Sequence, residues 1–161
     1  GYELKTIEAC VNVNTRQKTR LFEKAADRMI TFNGIKVAVL GLTFKAGTDD
    51  LREAPSSENI KLLLEKGADI YAYDPAGVSR AKIQFPEGKN DRGNIHYVTT
   101  PEEALKGAHI CFIFTDWSEI KRISPIQYKE YMRTALVYDG RNMYNLTEMK
   151  QCGVEYYSIG R

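Results

Sequence analysis

A chain of 161 residues has the size of one domain and can bury about two-thirds of the surface its unfolded form exposes. Its 23 basic and 21 acidic side chains nearly cancel, with no block of like charge and no basic-aromatic interleaving, which argues against a nucleic-acid partner and for any anionic ligand being small and held locally. No stretch reaches the roughly 18 consecutive apolar residues of a membrane span and no signal-peptide pattern opens the chain, so the expectation is a soluble, cytoplasmic protein with no membrane partner.

Cys10, Cys111 and Cys152 are odd in number, widely separated and free of C-x-x-C spacing, so they predict neither a disulfide framework nor a zinc site and are expected to be packing residues. His96 and His109 flank or enter predicted strands without a second ligand at suitable spacing. They are expected at the surface or at strand ends, and no metal is expected.

In chain order, Leu4, Ile7, Cys10, Val11, Val13, Leu21, Ala25, Met29 and Ile30 recur at helical spacing without an intervening Gly or Pro, which predicts one long helix over residues 2–30. It is longer than most globular helices, lacks an N-cap signal and starts almost at the first residue, the pattern of a piece from a longer protein. "FNGIK" ends it, and the one clear boundary falls at residues 32–34. Beyond it the spacing predicts a strand at 37–41, a helix at 57–66 closed by Gly67, and a strand at 69–73. Residues 76–93, with Pro86, Gly88 and Gly93, read as a surface excursion. Then come the strand "NIHYV", a helix at 101–106 with Pro at its favoured first position, the strand "HICFIF" and one or two helical turns within 118–132. The strand "ALVYD", a helix at 146–151 and the strand "VEYYSI" complete the chain. Strands that are apolar throughout and separated by helices imply an α/β, Rossmann-like doubly wound fold. Its mainly parallel sheet of five to six strands is preceded by the long helix.

In such sheets, ligands sit beyond the carboxyl ends of the strands, where strand order reverses. The first strand leads there into "GLTFKAGTDDLREAPSSE", which has neither the G-x-G-x-x-G fingerprint nor a Walker loop. The connection is about a dozen residues long, against roughly two to six in most strand-to-helix loops. Lys45 offers a point charge suited to phosphate, Arg52 a planar fork, and Pro55, Ser56 and Ser57 a helix start with its free N–H groups. Asp49 and Asp50 offset the two cations. Spacing leaves two readings open: an anion clamp, or a solvated loop whose acids and bases pair with one another. Asp74 stands where a dinucleotide fold holds ribose, but without the glycine fingerprint Asp74-Pro75 reads as a turn.

The string "GLTFKAGTDDLREAPS" closely resembles the opening of the C-terminal domain of the UDP-glucose and GDP-mannose dehydrogenase family. "YDP" at residues 73–75, "FTDW" at 114–117 and "VYDGRN" at 137–142 follow in the family's order and at about its spacing, and "ACVNVNTRQKTR" is similar to the end of its central linking helix. The likeness covers nearly the whole chain and is nearest to the UDP-glucose members. It implies that residues 1–33 end an interdomain helix that builds a homodimer core, and that residues 34–161 form a Rossmann-like domain for a UDP-sugar substrate. The family's enzymes oxidise a sugar C6 alcohol to a carboxylate by two NAD-dependent hydride transfers through a cysteine thioester. The family's "GGSC"-like cysteine motif and its G-x-G-x-x-G are not in this sequence. The resemblance therefore implies no catalytic residue here, NAD held mainly by a separate N-terminal domain, and no turnover by this chain alone.

Residue by residue, the resemblance puts Phe44 and Lys45 at the substrate-binding pair, Arg141 at the arginine that meets substrate near the reacting sugar, and Arg52 at one that reaches NAD across the cleft. Apart from the resemblance, Lys45 reads as a surface lysine and Arg52 as a partner of Glu53 or Asp50. Trp117 reads as packing beside the cleft rather than stacking on a base. Two alternatives stand beside this: the same family acting on GDP-mannose or UDP-N-acetylmannosamine, and a non-catalytic nucleotide-binding regulatory module.

Overall fold

The computed structural model describes residues 4–160. Seven short strands, β1 (Lys36–Leu40), β2 (Asp69–Tyr73), β3 (Gly88–Asn90), β4 (Gly93–Tyr97), β5 (Ile110–Ile113), β6 (Leu136–Asp139) and β7 (Glu155–Ser158), form one sheet in the order β3-β4-β2-β1-β5-β6-β7. Every pairing is parallel except that of β3 with β4. The chain winds from β1 outward through β2 to β4, then returns to lay β5 on the other side of β1. Strand order therefore reverses between β1 and β5, which puts the expected crevice above their carboxyl ends.

Apart from the end residues Lys36, Asp69 and Asp139, the central strands hold aliphatic and aromatic residues and Cys111, because both faces are covered. Val37, Val39, Ile70, Ile110, Phe112 and Tyr138 point into one core, Ala38, Leu40, Cys111, Ile113 and Val137 into the other. Helices α2 (Arg20–Ala26), α3 (Pro55–Glu65) and α4 (Val78–Gln84) supply the first layer with Leu21, Phe22, Ile60, Leu63 and Ala81. Helices α5 (Pro101–Leu105), α6 (Ser118–Lys121), α7 (Pro125–Tyr131) and α8 (Leu146–Gln151) supply the second with Leu105, Ile120, Tyr128 and Met149. Helix α1 (Lys5–Lys18) buries none of its residues in this chain.

The structure corrects three expectations. The stretch read as one helix over residues 2–30 is two helices with a break at Thr19, and it stops at Ala26; residues 2 and 3 lie outside the described ones. At the break a side chain from α3 takes both ends of the missing helix bond: the buried Asn59 carboxamide accepts the Phe22 N–H (3.1 Å) and donates to the Lys18 carbonyl (2.6 Å). The sheet has seven strands because residues 76–93 are not irregular: they hold α4 and β3, the latter "GKN", whose pairing is made by backbone and leaves no apolar signature. Cys10 is exposed on α1 rather than packed, whereas Cys111 lies in the core, where burial pushes its thiol well up.

Gly41, at the end of β1, has φ +85°, and a Cβ there would stand 2.5 Å from the Thr115 Cβ and 2.6 Å from its backbone nitrogen. Gly47 has φ +80° with nothing within 4 Å. Gly41→Ala is expected to lower the unfolding free energy in urea denaturation by about 3 kcal/mol, from backbone strain and overpacking together, and Gly47→Ala by about 1 kcal/mol, from backbone strain alone.

Candidate functional site

The carboxyl ends of β1, β2 and β5 are tied together by one carboxylate. Asp74 follows β2 and is 4% exposed. Its Oδ2 accepts from the Leu42 N–H (2.7 Å) and Thr43 N–H (3.1 Å) at the root of the first loop, and from the Trp117 indole N–H (3.0 Å) beyond β5. Its Oδ1 accepts from the N–H groups of Ala76 (2.9 Å) and Gly77 (2.7 Å), which closes its own turn. A buried charge is costly unless hydrogen-bonded, and five N–H donors from three segments compensate this one. The Thr115 hydroxyl adds a bond to the Thr43 carbonyl across the point where strand order reverses, and the Ser56 hydroxyl one to the Leu42 carbonyl.

Above that fixed root the loop closes on itself. The Phe44 N–H donates to the Asp50 carbonyl at 2.8 Å, and the Asp50 N–H to the Thr48 hydroxyl at 3.2 Å. Phe44 is 51% exposed, and Lys45 beside it is exposed with no carboxylate partner among the described residues. Arg52 is engaged differently. Its fork grips Asp50 (Nε to Oδ1 3.0 Å, NH2 to Oδ2 2.7 Å), and those hydrogen bonds hold the Asp50 carboxyl down to about 2. It fronts a hollow of about 410 Å³ shared with Lys18, Glu53, Arg80 and Ile83.

Arg141 is positioned by a second buried acid. Asp139, the last residue of β6, is fully buried and accepts from the N–H groups of Arg141 and Met143 and from the Tyr156 hydroxyl, each at 2.7 Å. That carboxylate shapes the turn in which Asn142 takes φ +56°. The Arg141 guanidinium meets Asp116 at 3.2 Å, an acid shared with Lys121 at 3.3 Å. It lines a smaller hollow, about 190 Å³, with Lys18, Leu21, Pro55 and Phe114. Arg52 and Arg141 thus front two hollows, and Lys18, bound to Glu53, borders both.

Chemically the arrangement offers cations on preformed turns, suited to holding an anion. Among the described residues no three His, Cys, Asp or Glu side chains are grouped to hold a metal. His96 pairs with Asp69 at 3.1 Å, the first residue of β2, away from the carboxyl ends. Sequence reasoning missed Asp139, although "VYDG" repeats the pattern of "YAYDP", an apolar strand, then Asp, then a turn former. Lys18 and Asn59 carried no local signal, because they meet across 41 positions of sequence. Tyr156→Phe removes one hydrogen bond to the Asp139 charge and is expected to lower the unfolding free energy by about 2 kcal/mol, with faster amide exchange at Arg141 and Met143.

The model of the "UDP-glucose/GDP-mannose dehydrogenase family, UDP binding domain" matches residues 38–146. UDP-glucose 6-dehydrogenase YwqF of Bacillus subtilis is 41% identical over 160 residues, 99% of this chain and 35% of the relative. TuaD, named as the same activity in that organism, is 35% identical and is matched over 34% of its length. Among solved structures, a UDP-glucose dehydrogenase from Pyrobaculum islandicum superposes with a TM-score of 0.71 at 28% identity over 95% of this chain and 31% of that one. An NDP-N-acetyl-D-galactosaminuronic acid dehydrogenase from Methanosarcina mazei shares the fold, with a TM-score of 0.75 at 23% identity. The chain therefore spans about a third of the length of the relatives it matches. With the strand order, the loop after β1 and the family match in agreement, the chain belongs to the UDP-glucose/GDP-mannose dehydrogenase family and carries its UDP binding domain.

Proposed function

We propose that residues 34–161 bind the UDP portion of a nucleotide sugar within an NAD-dependent UDP-glucose 6-dehydrogenase, and that residues 1–33, whose described part holds α1 and α2, end the segment joining this unit to the NAD-binding half. The whole enzyme would oxidise UDP-glucose to UDP-glucuronate in two hydride transfers, with the cysteine and most of the NAD site supplied from outside this chain.

The observation that carries the reading is the first loop. Its root is locked by Asp74 while Phe44 and Lys45 stand exposed above the reversal point of the sheet, so a cation with no carboxylate partner among the described residues is held where open parallel sheets bind ligands. A diphosphate is the ligand such a cation suits. Arg141 supplies the second positive charge toward the sugar end and leaves Asp116 when the anion arrives. Arg52, gripped by Asp50 in this chain, turns to NAD when the other half of the cleft is present.

A homodimer is supported by α1, where Leu4, Ile7 and Val11 form a stripe at helical spacing, each 57–60% exposed. The cellular setting proposed is the cytoplasm, without nucleic-acid or membrane partners. Among the described residues no helix is long and apolar enough to cross a membrane.

Calorimetric titration with UDP, GDP and NAD in turn tests the reading. The expected result is weak UDP binding, weaker GDP binding and no measurable NAD binding. Lys45→Ala should cost about tenfold in UDP affinity, the loss of roughly one charge-assisted hydrogen bond. A preference for GDP would move the substrate to a GDP-sugar, and tight NAD binding would overturn the domain assignment.

A further inference from the structure

Asn59 occupies an unusual place between α1 and α2. In an unbroken helix the Phe22 N–H would donate to the Lys18 carbonyl four residues earlier. Here that bond is opened and both ends are taken by one carboxamide, whose Oδ1 accepts from Phe22 N–H (3.1 Å) and whose Nδ2 donates to Lys18 O (2.6 Å). The second Nδ2 proton goes to the Pro55 carbonyl in the first turn of α3 (2.6 Å). The bonds fix the amide's orientation, because the reverse flip would set NH2 against N–H and oxygen against two carbonyls. The residue is fully buried, so if the amide is removed the Phe22 N–H and the Lys18 carbonyl are left with only each other to pair.

We propose that Asn59 is the positioning residue that sets the direction in which α1 leaves the domain, by inserting its amide into the helix ladder. A side chain within the i to i−4 ladder is one of the few causes of a sharp helix bend. This one is anchored in α3 at the foot of the loop after β1, and a second tie reinforces it, since Lys18 itself binds Glu53 in that loop. The direction of α1 and the position of the loop's end are therefore set by the same few atoms. Asn59 bonds none of Phe44, Lys45, Arg52 and Arg141, although it holds the carbonyls of Lys18 and Pro55, residues that line the hollow beside Arg141. Its role is independent of which nucleotide binds, and its test uses the ligand-free chain.

Cys10 is an exposed native thiol on α1, and Lys66 is exposed at the end of α3. In a chain with Lys66→Cys and Cys152→Ser, spin labels at positions 10 and 66 read the angle between α1 and the domain. An excess of unlabelled chain confines the signal to distances within one molecule. The span from Cys10 to Lys18 is about 12 Å at 1.5 Å per residue, so a change of about 20° moves the label by about 4 Å. Asn59→Leu, which fills the same space without polar atoms, lets the ladder close; Asn59→Ala removes the amide outright. The expected result for both is a shift of about 4 Å or a distribution at least twice as wide. An unchanged distribution in a variant that keeps the wild-type melting transition and circular dichroism overturns the proposal. Should neither variant fold, the wild-type chain still decides. Its Asn59 side-chain NH2 protons should exchange at least tenfold more slowly than those of exposed Asn94, and equal rates overturn the proposal.

Discussion

A charge placed inside the protein, at the end of β2, holds the site in shape. Asp74 gathers N–H groups from the loop after β1, from its own turn and from the indole of Trp117 beyond β5. Each of these segments has just left the sheet, and these N–H groups find their acceptor in the Asp74 carboxylate rather than in a neighbouring strand. A carboxylate satisfies several such groups from one point, and burial strengthens every bond it makes. The consequence is a rim whose base is rigid before any ligand arrives. The cations above it are free to adjust.

The same solution recurs at β6, where Asp139 organises the turn carrying Arg141 and is braced by Tyr156. Both acids end an apolar strand, both are buried, and both cap amides rather than facing solvent. Asn59 applies the principle with a neutral group, replacing a missing helix bond with its own donor and acceptor. The three side chains share a division of labour: buried polar residues fix backbone beyond the carboxyl ends of the strands and between helices, and exposed basic residues on that backbone present charge. Arg52 shows the contrast, since its fork is occupied by a neighbour two residues away and its side chain is 87% exposed.

Much of this was legible in the sequence, because apolar strands of four or five residues and helices punctuated by Gly or Pro report their own periodicity. "KVAVL", "DIYAY" and "ICFI" announce a sheet covered on both faces, and Pro55 and Pro101 mark helix starts found in place. What was not legible depended on contacts distant in sequence. The apolar spacing of residues 4–30 is continuous across the break at Thr19, since the break is imposed by Asn59 and not by any local breaker. The strand "GKN" is held by backbone pairing to β4 and has no apolar side to detect. At the site, Phe44, Lys45, Arg52 and Arg141 were marked by the family's motifs, whereas the pairing of Arg52 with Asp50 needed no more than their two-residue spacing. Asp74 was read as a turn residue, which it is, but its reach to Leu42 and Trp117 could come only from the folded strand order.

Amide hydrogen exchange at Leu42 and Thr43 in the ligand-free chain tests the central claim most directly, because those two N–H groups leave β1 and have Asp74 as their acceptor. The account predicts protection comparable to that of Val39 within the sheet, lost in Asp74→Ala while Val39 stays protected. Exchange at Leu42 and Thr43 as fast as at Gly47, in the exposed part of the loop, would contradict it.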